Sequence, residues 1–465
     1  MVFSSAVFLT LFLPITFILN YFVPKKYSNI LLLIASLIFY AWGEPVLILL
    51  MIFSIIFNWF IGRFIDKSEG NKKRTALIIG VICDIGILGY YKYLSFFISI
   101  INGIAKREFF TMPQIALPIG ISFFTFQAIS YIVDVYKGET DSSSKLVNTA
   151  LYISFFPQLI AGPIVKYRDI NKQIECREIT SEKVSDGFKR FIYGLAKKVL
   201  ISNVLGLCVD TIWAYDISTI DCKTAWIGSL AYTFQIYYDF SGYSDMAIGL
   251  GKMFGFDILE NFNYPYLSKS ISEFWRRWHI SLGSWFREYV YIPLGGNRKG
   301  PYRTYLNLII VFFLTGLWHG ADFSFIIWGL YHCFFQIIER LGLKKLLEKS
   351  RIVSNVYCFL VVNFGWVFFR ANDTLTGAKF ISRIIMPWRY LDLSISTWKY
   401  LDNKTIFMLI CAFIGMGILK CIIPKKIQKK WNGSIIEAFY CMCILVLSLA
   451  AIASDTYNPF IYFQF

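Results

Sequence analysis

The histidines are the residues of this sequence best suited to proton-transfer chemistry, and there are only three of them. His279 lies in FWRRWHISLGSWFREYVYIPLGG, His319 ends an apolar run in LTGLWHGAD, and His332 follows in the next apolar run. A neutral imidazole can take a proton from a hydroxyl nucleophile. Because desolvating an imidazole at membrane depth is costly, histidines placed there indicate function. His319 is the predicted reactive centre.

The segment around His279 is predicted to be an in-plane or re-entrant amphipathic helix over Ile271–Ile292. Arginines in its middle, including Arg276 and Arg277, exclude an ordinary transmembrane helix. Large apolar residues recur at helical spacing and form a stripe: Phe274, Trp275, Trp278, Leu282, Trp285, Phe286 and Tyr289. On such a helix His279 points toward the apolar side. A purely structural alternative is that its ring satisfies a neighbouring carbonyl, and spacing does not choose between the two.

A second polar group lies in QIYYDFSGYSDMAIGL, where Gln235 and Asp239 are one helical turn apart and share a face. With Asp245, these side chains are candidates for a substrate path at membrane depth. The alternative is a helix end near the interface, where a carboxylate costs little. The sequence does not separate these readings.

The elements that must position these residues are membrane helices. Of the 465 residues 56% are hydrophobic and 16% charged, against about 25% charged in soluble domains. We predict an all-α polytopic membrane protein with roughly 10–13 spans of about twenty residues. The net charge of +16 fits basic cytoplasmic loops better than nucleic-acid binding. The loops at Lys25–Lys26 and Arg63–Arg74 place the N-terminus outside, and the ten cysteines lack metal-ligand spacing.

Two predicted spans, Leu117–Val135 and Leu146–Val165, are interrupted by Gly and Pro. Breaks of this kind survive in a bilayer where a cavity or neighbouring protein satisfies the freed backbone groups. The two spans should face a cavity, with ordinary packed kinks as the alternative. The basic segment from Lys166 to Lys198 is predicted to be cytoplasmic and partly an amphipathic surface helix.

Taken alone, these residues leave two classes of function open. One is a membrane-embedded enzyme in which a neutral histidine activates a hydroxyl nucleophile. The other is a transporter or flippase with buried Asp and His along its path. Soluble catalytic motifs such as GxSxG, the P-loop and HExxH are absent from the sequence.

The order of motifs along the chain resembles the membrane-bound O-acyltransferase family, in particular its bacterial alginate O-acetylation branch. The resemblance covers nearly the whole chain and is carried by these stretches: MVFSSAVFLTLFLPI, LPIGISFFTFQAISYIVDVY, FFPQLIAGPI, QIYYDFSGYSDMAIGLGKMFGF, FWRRWHISLGSWFREYVYIPLGG, LTGLWHGADFSFIIWGLYH, NFGWVFFR and FIYFQF. Gly283 and Glu288 depart from the Ser and Asp usual in this branch, which puts only details of the re-entrant helix in doubt.

The resemblance implies a helical fold around a central cavity or tunnel. It implies catalysis by the histidine of the WHG motif, which is His319, and places the family's second polar position, often Asn in eukaryotic members, on His279. Supporting or substrate-channel roles are expected for His332, Trp318, Asp239, Gln235, Arg276, Arg277 and Trp278. The chain is expected to form one membrane domain, with peripheral helices at 1–110, a catalytic core at 111–340 and C-terminal helices at 341–465.

The resemblance also implies the reactants and the setting. Acetyl-CoA is the expected acyl donor, received by a cytoplasmic basic surface that includes Arg276, Arg277 and the segment Lys166 to Lys198. In this branch the acceptor on the outer side is commonly an extracytoplasmic acyltransferase or esterase-like partner protein, or that partner makes the final transfer to an exported polysaccharide. No bound cofactor, metal or nucleic acid is expected, and the location is the bacterial cytoplasmic membrane. The branch of the family that transfers D-alanine to teichoic acid is the alternative.

Overall fold

The computed structural model of the protein describes residues 1–160, 162–390, 401–424, 426–427, 431, 433–454, 457–459 and 461. Its secondary structure is helical, and these described residues contain no β-strand. The predicted all-α class is therefore confirmed. The chain forms two compact units, of which unit 1 comprises Met1–Phe191 and Met246–Leu259, and unit 2 comprises Ile192–Asp245 and Glu260–Phe465.

The helices of the first part of the chain are short to medium in length. In chain order they are α1 (Leu13–Phe22), α2 (Lys25–Ala41), α3 (Ile48–Lys67), α4 (Gly70–Leu88), α5 (Leu94–Ala105), α6 (Ile121–Lys137), α7 (Leu146–Ser154), α8 (Phe156–Leu159), α9 (Tyr167–Glu175) and α10 (Ser181–Ala196).

The second part of the chain contains α12, which is the longest uninterrupted α-helical segment among the described residues. In chain order its helices are α11 (Asn203–Trp213), α12 (Cys222–Met253), α13 (Ile271–Arg277), α14 (Ile280–Phe286), α15 (Gly300–His319), α16 (Phe323–Ile338), α17 (Lys344–Leu347), α18 (Arg351–Arg370), α19 (Thr374–Ile385), α20 (Asn403–Phe413), α21 (Leu419–Ile422) and α22 (Ile435–Ser454).

Six helical stretches among the described residues are long and apolar enough to cross a membrane. They are Ile48–Lys67, Gly70–Ala105, Ser181–Trp213, Arg351–Arg370, Asn403–Ile422 and Ile435–Ser454. The protein is thus a multi-pass membrane protein. The stretch Ser181–Trp213 begins inside the segment predicted to be partly an amphipathic surface helix, and that surface location stays a prediction.

The two interrupted spans are packed against protein in unit 1. The first break precedes α6 instead of lying within it. Gly120, directly before the first residue of α6, has a left-handed backbone conformation with φ of 73°. The second break, at Phe155 between α7 and α8, leaves a backbone N–H at Phe156 that donates to Ser36 Oγ at 3.1 Å. Protein groups therefore satisfy the break at Phe156, as the packed-kink alternative requires.

Unit 2 is built around an aromatic core. Trp278, Trp328 and Trp366 are each at most 3% exposed and lie in one apolar cluster. Trp328 and Trp366 stack with ring centroids 5.8 Å apart, and Trp278 contacts Trp366 at 4.8 Å. This cluster joins α13, α16 and α18 and surrounds the candidate site.

Candidate active site

Helix α13 brings the chain into the site, and its N-terminus is fully capped. Ser270 Oγ accepts from the N–H of Glu273 at 3.1 Å, and the Glu273 carboxylate accepts in return from the N–H of Lys269 at 2.9 Å. The buried carboxylate of Glu339 accepts from the N–H groups of Ile271 and Ser272. These bonds satisfy the donors that a helix leaves unpaired at its start. They explain why so short a helix holds its place.

The predicted single helix over Ile271–Ile292 is wrong, because the chain breaks at His279. Helix α13 ends at Arg277, Trp278 is extended, and His279 has φ 46° and ψ 53°, in the left-handed region. Helix α14 then begins at Ile280. A left-handed non-glycine residue costs roughly 1–2 kcal/mol and persists only where its surroundings hold it.

Asn261 holds this break. Its backbone carbonyl accepts from Ile280 N–H at 3.0 Å, and its side-chain Oδ1 accepts from Ser281 N–H at 3.2 Å and Ser281 Oγ at 2.9 Å. Asn261 Nδ2 donates to Ser244 Oγ on α12 at 3.1 Å. The fully buried asparagine therefore ties the start of α14 to α12.

The same amide sets the protonation of His279. His279 Nδ1 lies 3.2 Å from Asn261 Oδ1. Because the backbone N–H of Ser281 can only donate to that oxygen, Oδ1 is an acceptor, and the neutral imidazole must carry its proton on Nδ1. Nε2 is then the ring nitrogen with the lone pair, able to accept a proton from a substrate hydroxyl.

His319 is the last residue of α15 and lies in a helix pair that glycines bring together. A Cβ on Gly320 would lie 2.2 Å from the Phe325 ring, and one on Gly316 would lie 2.4 Å from the Phe325 carbonyl oxygen. Gly329 of α16 likewise faces the Phe312 carbonyl oxygen, 2.3 Å from its would-be Cβ. The three glycines thus let α15 and α16 approach closely, as small residues do between membrane helices.

Glycines on either side of the Trp-His pair, Gly316 and Gly320, predict from the sequence that a substrate has room to approach the His319 ring, and this arrangement corrects that prediction. The space that their missing side chains would take is occupied by Phe325. The glycines therefore act on the position of His319 through helix packing.

The three histidines are linked through two tryptophan rings. The Trp318 ring centroid lies 6.0 Å from that of His279 and 4.9 Å from that of His319. Trp328 contacts His319 at 5.0 Å and His332 at 5.4 Å. All five rings are at most 5% exposed. The structure therefore brings together His279, Trp318, His319 and His332, as a shared site requires.

His332 is the most deeply buried of the three histidines, with 0% of its surface exposed. Its ring contacts Trp275 at 5.1 Å and Tyr331 at 5.4 Å, and its Nε2 faces Gly365 of α18. Among the described residues neither ring nitrogen has a hydrogen-bond partner. The supporting role expected for His332 stays a prediction.

Gln235 and Asp239 of α12 contact α11 and the helical turn Lys197–Ser202 that precedes it. Asp239 Oδ1 lies 2.6 Å from Lys198 Nζ in a buried ion pair, and its Oδ2 accepts from the N–H of Ile461 at 2.9 Å. Lys198 also donates to the carbonyl of Pro459. The side-chain amide of Gln235 lies against Gly206. Their substrate-channel role stays a prediction, and through Asp239 and Lys198 this group also contacts the C-terminal residues Pro459 and Ile461.

The predicted basic surface is smaller than its sequence suggests. Lys198 is 2% exposed and Lys166 5%, so these two lysines are removed from any surface. Arg276 is exposed, whereas Arg277 pairs with Glu273 at 2.7 Å and donates to the Asn263 carbonyl. Lys198 is buried in its ion pair with Asp239.

Three residues that position the site have no signal in the sequence analysis: Asn261, Ser244 and Glu339. Asn261 lies in an irregular stretch with no period, Ser244 is one of several small polar residues on α12, and Glu339 follows an apolar helix. The polar and aromatic stretch NFNYPY begins at Asn261, seventeen residues before the WHIS motif, and its proline is a signal for a loop in this region.

Comparison with known proteins identifies the family of the chain. Residues 139–374 match the family described as MBOAT, membrane-bound O-acyltransferase family. That range contains all three histidines and Asn261. The chain belongs to this family and is an O-acyltransferase.

The most similar relatives include proteins that acetylate polymers. A probable alginate O-acetylase AlgI of Pseudomonas putida is 42% identical over the full length of both chains. A peptidoglycan O-acetyltransferase of Helicobacter pylori is 37% identical over 83% of this chain and 80% of its own. A teichoic acid D-alanyltransferase of Bacillus subtilis is 30% identical over 54% of this chain and 68% of its own.

Proposed function

We propose that the protein transfers an acetyl group from acetyl-CoA on the cytoplasmic side to a hydroxyl of an exported cell-surface polysaccharide, with His319 as the general base. The observation that carries this proposal is the buried ring contact that joins His319 through Trp318 to His279. Relatives named as alginate or peptidoglycan O-acetylases support the acetyl group and the polymer.

The reaction balances without a cofactor. The acceptor hydroxyl oxygen attacks the thioester carbonyl carbon while His319 takes the hydroxyl proton. The C–S bond then breaks, and the proton passes from His319 to the departing thiolate, leaving an O-acetyl ester and the free thiol. His279 is assigned the task of holding the acceptor hydroxyl through Nε2, because its Nδ1 proton is directed at Asn261. A donor to the developing oxyanion must then come from another group.

The proposal includes a setting and a partner. Basic loops near Lys25 and Arg63–Arg74 support a cytoplasmic location for those loops and an N-terminus outside, in the bacterial cytoplasmic membrane. Exposed Arg276 remains a candidate contact for the donor phosphates. An extracytoplasmic acyltransferase or esterase-like protein is the proposed partner for delivery to the polymer.

The direct test is His319→Ala, with protein level in the membrane as the control and ester-linked acetate on surface glycan as the readout. Loss of a general base is expected to lower transfer by about 10²-fold or more. Unchanged acetylation would rule out the assigned role. Purified protein with labelled acetyl-CoA and acceptor separates the enzyme from a transporter, because a carrier forms no ester.

D-alanyl transfer to teichoic acid is the second candidate, favoured by the match to the Bacillus subtilis protein. That match covers about half of this chain, whereas the O-acetylase matches cover most or all of it. Labelled D-alanine and labelled acetate, supplied in parallel to cells that carry the gene, distinguish the two by the label found on the polymer.

A further inference from the structure

A carboxyl group lies inside a membrane-crossing part of unit 1, on helix α4. Asp84 is 2% exposed and belongs to the crossing stretch Gly70–Ala105. Its hydrogen-bond partner is Asn58, which is 0% exposed and belongs to the crossing stretch Ile48–Lys67. The acetyl-transfer reaction proposed above uses neither residue. Because an ionisable side chain inside a membrane span is costly, its presence indicates a function.

Both residues lie near the middle of the bilayer. At the helical rise of about 1.5 Å per residue, Asn58 is roughly 15 Å from the start of its crossing stretch, which is half the thickness of the hydrocarbon core. Asn58 Nδ2 lies 2.9 Å from Asp84 Oδ1, so the carboxyl group is at the same depth. At this depth a charge is far from water and from lipid headgroups, and it depends on protein groups for its stabilisation.

The orientation of the Asn58 amide is fixed by its own helix. Its Nδ2 donates to the backbone carbonyl of Ser54 at 3.0 Å, and a carbonyl oxygen can only accept. The same nitrogen donates to Asp84 Oδ1, and it lies 3.4 Å from Ser54 Oγ. The amide hydrogens are thus used, whereas Asn58 Oδ1 is a buried acceptor without a donor among the described residues.

Asp84 has the same deficit at its second oxygen. Its Oδ2 is buried and has no hydrogen-bond partner in the described part of the chain. An ionised Asp84 would leave the pair with an uncompensated charge and with two buried acceptor oxygens that no donor reaches, which is costly for both groups. A proton on Oδ2 removes the charge and supplies the missing donor.

A metal ion is the other species that could neutralise the carboxylate. A hard cation such as Ca²⁺ takes about six to eight oxygen ligands. Here the side-chain oxygens of the pair and its neighbour are too few, being those of Asp84, Asn58 and Ser54. Among the described residues no group of three or more His, Cys, Asp or Glu side chains could hold a metal ion. The pair therefore suits a proton better than a cation.

The other ionisable groups of the packed helices do not supply a counter-charge. Helix α4 packs against α3 and α6, and Cys83, next to Asp84 in the chain, is a free thiol. Lys92, which follows α4, donates to Ser122 Oγ at 3.2 Å. The remaining ionisable side chains of the three helices are Arg63, Asp66, Lys67, Lys72, Lys73, Arg74, Tyr131, Asp134, Tyr136 and Lys137. Within the described ranges none of them forms a hydrogen bond or ion pair with Asp84.

We propose that Asp84 is a proton-binding site in the middle of the bilayer, where its carboxyl group is held as the neutral acid and donates from Oδ2 to Asn58 Oδ1. Together with the bond from Asn58 Nδ2 to Asp84 Oδ1, this forms a closed acid–amide pair that joins α3 to α4. Loss of the proton places an unpaired charge between two membrane helices, so the pair makes their packing depend on pH. The proposal concerns unit 1 alone and does not rest on the proposed acetyl transfer.

Infrared spectroscopy of the purified full-length protein in detergent tests for this proton. A protonated carboxyl group has a C=O stretching band that a carboxylate lacks. Asp84→Asn keeps the size of the side chain and supplies an amide donor in place of the acid, so it should abolish one such band at neutral pH. Asp66→Asn, at an exposed carboxylate of α3, is the matched control and should leave this region of the spectrum unchanged.

Thermal unfolding at several pH values gives a second readout. Because the folded protein holds a proton that the unfolded chain releases, the stability contributed by the pair is present in acidic buffer and is lost as rising pH ionises Asp84. The melting temperature of the parent protein should therefore fall relative to that of Asp84→Asn as the pH is raised, and Asp66→Asn should follow the parent. Asp84→Leu, which leaves Asn58 unpaired, should melt below Asp84→Asn throughout.

Three results would overturn the proposal. The first is a carboxylate band, instead of an acid band, in the difference between the parent protein and Asp84→Asn. The second is loss of the acid band on addition of sodium ions at constant pH, which would indicate a cation site. The third is a difference in melting temperature between these two proteins that does not change with pH. Where Asp84→Asn does not accumulate, isotope-labelled aspartate in the parent protein replaces the substitution, and absence of an acid band that shifts with the label would overturn the proposal in the same way.

Discussion

His279 Nδ1 lies 3.2 Å from Asn261 Oδ1, and this contact sets which ring nitrogen of His279 carries the proton. Asn261 also accepts from Ser281 and donates to Ser244, so its side chain cannot turn without breaking several bonds. The site thus combines a histidine with a fixed tautomer and a histidine, His319, at the end of a tightly packed helix.

Asn261→Ala should lower activity by about 10–100-fold, the effect of removing a partner that orients a functional histidine. The loss arises because His279 is free to adopt the other tautomer. Acetyl transfer by purified protein measures it. Asn263→Ala is the matched control, since the bonds recorded for Asn263 come from its backbone, and it should retain activity. Equal activity of both variants would contradict the tautomer assignment.

Gly320→Ala should destabilise the protein by about 1–3 kcal/mol and lower activity, because the added Cβ meets the Phe325 ring. Adding Phe325→Leu should recover part of both losses by removing that ring. Gly316→Ala should not be rescued by the same second change, since its Cβ meets the Phe325 backbone. Thermal unfolding and activity are measured for Gly320→Ala and Gly316→Ala, each alone and combined with Phe325→Leu. This pattern of rescue would show that the glycines serve helix packing, whereas loss of activity without loss of stability would show that they leave space for a substrate.

Lys198→Met should destabilise unit 2 by about 3–5 kcal/mol, because it leaves Asp239 as an unpaired buried charge. The double variant Lys198→Met with Asp239→Leu should be more stable than the single one. Thiol labelling of Asn458→Cys, above the background of the native cysteines, should rise in the single variant as the C-terminal segment is released. Unaltered labelling would show that the ion pair does not hold this segment.

His332→Leu should leave thermal stability unchanged or raise it, because it removes two buried nitrogens that lack hydrogen-bond partners among the described residues. A fall in activity at undiminished stability would then assign His332 a role in the reaction. A clear fall in melting temperature would instead mean that its ring is part of the packing around Trp328.

The buried side of the Ile271–Ile292 segment could be predicted from its sequence, but the break in the helix at His279 could not. Trp278, Leu282 and Trp285 are buried as their spacing indicates. The break at His279 depends on Asn261, eighteen positions earlier, and neither Gly nor Pro marks it. A periodic pattern reports burial along one helix and carries no information about a hydrogen bond from a distant loop.

The predictions made from the glycines and lysines were wrong for a related reason, because both depend on neighbours that are distant in the sequence. Gly316 and Gly320 indicate close approach of something to the backbone, but only the fold identifies Phe325 as the neighbour. Lys198 reads as part of a basic run, but its long side chain is buried against Asp239. The motif positions of His279 and His319 were found because their type is rare in this chain, whereas their supports are of common residue types.

The left-handed backbone at position 279 limits which side chains that position can hold. Histidine and asparagine are among the few residues that adopt this conformation with little penalty, while branched or bulky residues are strongly disfavoured. An exchange of His279 for Asn is therefore one that the main chain permits without rearrangement. A side chain at position 279 must therefore suit these backbone torsion angles as well as the chemistry of the site.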